Sequence, residues 1–140
     1  RSYIDAIIQV KSNVDSGMFL PVQHAASHAL ELPDNWHSNR NEIYKKRKAL
    51  ATKILETIGC RVSKNQVGLF VWGKIPNEVE NVEILVDNLL VHAHIFITPG
   101  KIFGSNGNRF LRMSLTSSVT TYQIALKRVK KWKRERLMPV

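Results

Sequence analysis

Cysteine is almost missing from this chain. The single one, Cys60, excludes a disulfide within the chain and suits a reducing compartment, so a cytoplasmic location is expected. Long apolar runs are missing as well: none approaches the roughly 18–20 residues that a membrane-spanning helix requires, and no membrane association is expected. No secretory leader is expected in residues 1–10, which hold no small-residue cleavage site and run directly into helical periodicity. The first residue is arginine rather than methionine, which leads us to expect an excised piece. Acidic residues are scarce, with 11 Asp and Glu against 21 Lys and Arg, so polyanion binding has to be weighed. Internal repeats and low-complexity linkers are absent. What is present, 44% hydrophobic and 23% charged over 140 residues, is the balance of one ordinary globular domain rather than a disordered segment.

Tyr3, Ile4, Ile7 and Ile8 recur at helical spacing and predict a helix at the start. Residues 12–17 read as a loop. Leu20, Ala25, Ala26, Ala29 and Leu30 mark a second helix that ends near Pro33. Asn39, with Glu42 three residues on, is a capping-box pattern and predicts the start of a long helix. Ile43, Arg47, Leu50, Ile54 and Ile58 line one of its faces, with Ala51 and Leu55 beside them, and Gly59 closes it.

Strands are expected at residues 60–63 and at the aromatic, β-branched residues 68–72, which Pro76-Asn77 follows. Val82, Leu85, Val86, Leu89 and Leu90 predict a further helix. Ile95-Phe96-Ile97 predicts a strand stopped by Thr98-Pro99-Gly100, and residues 110–115 another after the turn Gly104-Ser105-Asn106-Gly107. Ser117 or Ser118 caps a last helix, whose inner face carries Val119, Tyr122, Ala125, Leu126, Val129 and Trp132. This order predicts an α+β fold, a small sheet covered by helices, with two leading helices that have no strands of their own to cover.

Few residues stand out chemically on their own. His24 and His28 have the spacing of metal ligands on one helix face, but no Glu or Cys accompanies them, and no metal site is expected. His92 and His94 fall at a helix-to-strand junction. Cys60 follows a helix end and has no partner histidine, which argues against a nucleophile. Lys127, Arg128, Lys130, Lys131, Lys133, Arg134 and Arg136 read as the solvated face of the last helix. The rival reading is a basic nucleic-acid-binding module, which needs exposed aromatics among its cations. Trp132 instead falls on the apolar face, so a nucleic-acid partner is not expected. By pattern alone, Arg112 reads as a strand arginine in a surface ion pair.

A set of motifs in order adds a sharper expectation. Lys11-Ser12-Asn13-Val14-Asp15-Ser16-Gly17, then Pro21-Val22-Gln23 and Ala25-Ala26, resembles the stretch beyond the cofactor lysine of class I/II aminotransferases. Arg47 and Leu50 before Gly59 resemble the family's long inter-domain helix, and Gly68 to Trp72 followed by Pro76 its aromatic strand. Thr98-Pro99-Gly100, Phe103-Gly104, Gly107 and Phe110-Leu111-Arg112-Met113-Ser114 are similar to its most specific C-terminal signature. Asp15-Ser16-Gly17 with Gln23 is closest in character to the alanine and diaminopimelate aminotransferase branch.

The resemblance implies the small domain of a fold type I aminotransferase, residues 33–140, preceded by residues 1–32, a helical remnant of a large domain and subunit-interface segment. It implies pyridoxal phosphate as cofactor, amino acids and 2-oxo acids as substrates, and a homodimer. It implies that the lysine holding the cofactor lies upstream of Arg1, so that the chain alone is inactive and carries no catalytic residue. On this pattern Arg112 grips the substrate's α-carboxylate, Gly68 and Phe70 line the substrate entrance, and Ser12 and Asn13 edge the partner subunit's active site. A carbon–sulfur lyase or a cyclopropane-carboxylate synthase on the same fold would keep the same arginine. Without their packing partners, residues 1–32 are expected to self-associate, to exchange with a neighbour or to be poorly ordered.

Overall fold

The computed structural model describes residues 1–137, and residues 138–140 of the expected small domain lie outside the described residues. Two compact units divide the chain, Arg1–Asn39 and a second from Arg40 onward.

In the first unit α1 spans Ser2–Val14 and α2 spans Leu20–Leu30. Ser12, Asn13 and Val14, expected in a loop, are the last turn of α1. The Ser12 hydroxyl and the Asn13 amide both donate to the Gln9 carbonyl, at 3.1 and 2.7 Å, so side chains that often favour turns here bond back along the helix. Lys11 Nζ donates to Asp15 Oδ2 at 2.6 Å just past the end. Pro21 sits in the first turn of α2, where its missing N–H costs nothing. Neither helix buries a residue.

The long helix α3 runs Asp34–Ile58 and starts before the expected cap. The Pro33 carbonyl accepts from the Trp36 N–H at 2.9 Å, and Asp34 suits the positive end of the helix dipole, so the start follows Pro33 and Asn39 lies inside the helix. Its C-terminus is a Schellman turn. Gly59 takes φ +109°, its N–H meets the Glu56 carbonyl, and the Cys60 N–H meets that of Leu55.

The second unit holds one antiparallel sheet, β1 (Arg61–Val62), β2 (Phe70–Lys74), β3 (Thr98–Pro99) and β4 (Phe110–Ser114), in the order β1-β2-β4-β3. Two expected strands sit elsewhere. β2 starts at Phe70 rather than residue 68, because Gly68 bends the chain at φ +87°. Residues 95–97 carry no strand, since the Ile95 N–H turns back to the Leu89 carbonyl and helps close α4 (Val82–Ala93) behind His94 at φ 54°. Pairing begins only at Thr98, and Pro99, which lacks an N–H, fits an edge strand.

Asn81 caps α4 through Oδ1, which accepts from the Glu83 N–H at 2.7 Å. Ser118 caps α5 (Val119–Leu137) by accepting from the Thr121 N–H at 3.1 Å. Strand alternation then sorts the side chains. Val71 and Leu111 enter a core with Ala51, Ile54, Leu55 and Ile58 of α3, Leu85, Val86 and Leu89 of α4, and Tyr122, Val129 and Trp132 of α5. Phe70, Trp72, Phe110, Arg112 and Ser114 occupy the alternate positions, turned from that core. The architecture is the expected α+β arrangement of a small sheet covered by helices.

Candidate functional site

Arg112 stands at the middle of β4, a strand paired on both sides. Its backbone partners are Trp72 on β2 and Thr98 on β3. A position held by two ladders is hard to displace, so the backbone presents this side chain at a fixed height above the sheet. The guanidinium carbon lies 4.2 Å from the centre of the Phe70 ring and 3.8 Å from that of Phe103. Phe70 comes from β2. Phe103 comes from a 3₁₀ turn, Gly100–Phe103, that leads out of β3. Its ring also meets Trp72 edge-on at 5.6 Å.

The path of that turn depends on two glycines. Gly100 and Gly107 touch backbone to backbone: a Cβ on Gly100 would come 2.6 Å from the Gly107 carbonyl oxygen, and one on Gly107 would overlap the Gly100 carbonyl. Only residues without a side chain permit this approach, which folds the segment back so that Phe103 reaches Arg112.

Arg112 is half-buried. Its Nε is fully buried without a hydrogen-bond partner, and it forms no ion pair among the described residues. The surface ion pair that the pattern alone suggested is therefore not made here. An always-charged guanidinium against two rings, with no counter-ion among the described residues, has the chemistry that suits a planar anion. A cleft of about 490 Å³ opens beside it, bordered by Thr98, Ser114, Ser117, Thr121 and Arg128. Arg128 donates to the His94 carbonyl at 3.2 Å.

Two other arginines hold the frame. Arg47 Nη1 donates to the Leu115 carbonyl at 3.2 Å, tying α3 to the end of β4. Arg109 Nη2 donates to the Pro76 carbonyl at 2.6 Å, and its Nη1 to those of Val79 and Glu80, pinning the loop ahead of α4.

Of the residues singled out in the sequence, Arg112 and Phe70 come together. Gly68 stands just before β2 at φ +87°, with open space where its Cβ would be. Ser12 and Asn13 belong to the first unit, in the last turn of α1. Phe103 was legible only as part of a motif, and nothing in its spacing pointed to the arginine. Trp132 is buried and donates to Asn88 Oδ1 at 2.9 Å, so it offers no stacking surface beside the basic face of α5. Among the described residues, no group of three or more His, Cys, Asp and Glu could hold a metal ion, and no helix is long and apolar enough to cross a membrane.

Residues 1–129 match the family model for aminotransferase class I and II. The chain belongs to that family. It is 36% identical over 129 residues to transaminase BacF of Bacillus subtilis (strain 168), covering 91% of this chain and 32% of that protein. It is 36% identical over 133 residues to the LL-diaminopimelate aminotransferase of Aquifex aeolicus (strain VF5), covering 95% and 34% respectively. The apo structure of BacF superposes with a TM-score of 0.73 at 34% identity, over 93% of this chain and 35% of that one. The chain thus spans about a third of the length of the relatives it matches.

Proposed function

We propose that this chain supplies the substrate-carboxylate receptor of an enzyme that moves an amino group between an amino acid and a 2-oxo acid with pyridoxal phosphate. The observation that carries the reading is Arg112, presented by the doubly paired strand, packed against two rings and without a counter-ion among the described residues. These residues fit the substrate end of such a site: the buried, unpartnered Nε and the flat cation suit a carboxylate. When bound, pyridoxal phosphate supplies the electron sink that labilises a bond at the amino acid's α-carbon. The part assigned to this chain is binding and orientation. Arg112 takes the α-carboxylate through parallel charge-assisted hydrogen bonds and so fixes the direction of the Cα–H bond. The flanking rings keep water from the guanidinium faces, which strengthens its attraction for an anion. A homodimer working in the cytoplasm completes the proposal, in keeping with family membership and with a single, buried cysteine.

In the full-length enzyme, Arg112→Ala is expected to lower kcat/KM by several orders of magnitude, since losing a desolvated bidentate contact costs on the order of 3–5 kcal/mol. The visible absorbance of bound pyridoxal phosphate should persist. Near-normal efficiency, or loss of the cofactor, would overturn the assignment.

A further inference from the structure

We infer that Phe103 is a positioning residue: with Phe70 it brackets the Arg112 guanidinium and holds it edge-on to the incoming carboxylate. The inference rests on the reading of Arg112 as carboxylate receptor. The two ring centres lie 3.8 and 4.2 Å from one guanidinium carbon. In the proposed clamp the two rings cover opposite faces of the guanidinium plane. An arginine in open solvent samples many rotamers, and each bond to a ligand then has to fix it. Between two rings the plane is set beforehand, which lowers the entropy lost on binding.

The arrangement does not compete with the ligand. The N–H groups of a guanidinium lie in its plane and the rings cover its faces, so stacking leaves the hydrogen-bonding edge free. Nε is the nitrogen that is buried without a partner.

Phe103 itself is held in place from behind. Trp72 meets it edge-on at 5.6 Å, and the Gly100–Gly107 contact sets the turn that carries it. Its ring remains about half exposed, at 48%, which the core does not require of a phenylalanine on a surface turn.

The test uses the full-length enzyme loaded with pyridoxal phosphate, and lactate as an unreactive carboxylate. Phe103→Ala should raise the lactate Kd, measured by calorimetry, and the amino-acid KM by about tenfold, equivalent to about 1.4 kcal/mol, with a smaller change in kcat. Phe103→Tyr, which keeps the ring, should rescue most of the affinity, whereas Phe103→Leu, which keeps only apolar bulk, should not. If leucine rescues as well as tyrosine, or if alanine lowers Tm while the lactate Kd stays put, the clamp is wrong. If Phe103→Ala fails to fold, the tyrosine and leucine variants decide by themselves. Arg112→Ala separates the two claims. Should it abolish lactate binding while the Phe103 variants bind normally, only the clamp falls; should it bind lactate normally, the carboxylate reading falls and the clamp with it.

Discussion

The first unit, Arg1–Asn39, and the second, from Arg40 onward, are written in similar amphipathic helices yet end in opposite states. In the first, Ile7 is 63% exposed, Leu30 is 87% exposed, and neither α1 nor α2 buries a residue. In the second, Ile54, Leu55, Leu89, Leu111 and Val129 are sealed from solvent. The difference teaches that a 3.6-residue apolar period specifies a helix and the face it offers, while the partner decides whether that face is stabilising.

The hardest way to break this comparison is to make the same kind of truncation in both units. Leu55→Ala, in the sealed core, should cost about 2–5 kcal/mol in urea denaturation of this chain. Ile7→Ala should stay within about 0.5 kcal/mol. Equal costs would mean that α1 is covered in solution, as self-association of residues 1–32 would bring about, and light scattering would then find more than a monomer.

A gentler contrast uses polar ties. Arg109→Met removes the donors that hold the carbonyls of Pro76, Val79 and Glu80 and should cost about 1–3 kcal/mol. Lys11→Met, which removes an exposed pair with Asp15, should move the same urea midpoint far less. A larger effect from Lys11 would show that the first unit depends on that tie.

A last effect appears only in alkali. Burial pushes the Cys60 thiol up from 9.0 to about 12. Between those values the folded chain holds a proton that the unfolded chain releases, so stability falls as pH rises above about 9 and is untouched below it. Cys60→Ala should remove that slope, and the native thiol should resist iodoacetamide at pH 8. Rapid labelling of the folded chain would contradict the burial.

How much of this could be read from the sequence varied with how local the cause was. The helix ends at Gly59 and Ser118, the strand at Phe110 and the inward Trp132 follow from residues within a turn or two of themselves, and they were legible. The starts of α3 and β2 were misplaced because Pro33 and Gly68 outweighed a capping pair and an aromatic run. Residues 95–97 look like a strand by composition, but a backbone bond to Leu89 diverts Ile95 into closing α4. The place of Arg112 on its strand was legible. The ring of Phe103 against it was not, because it depends on a glycine pair whose contact spans the turn between β3 and β4.

The register of β4 sets a limit on how this stretch of gene can change in length. Side chains on a strand alternate sides with a period of two, and Arg112 is flanked by Leu111, which is sealed in the core. With Phe110 kept in register, inserting one residue before Leu111 would turn the arginine toward the apolar side and lift Leu111 into its place, and deleting Leu111 would turn it likewise and bring Met113 there. Point substitution can tune this strand, but a single-codon indel inverts it.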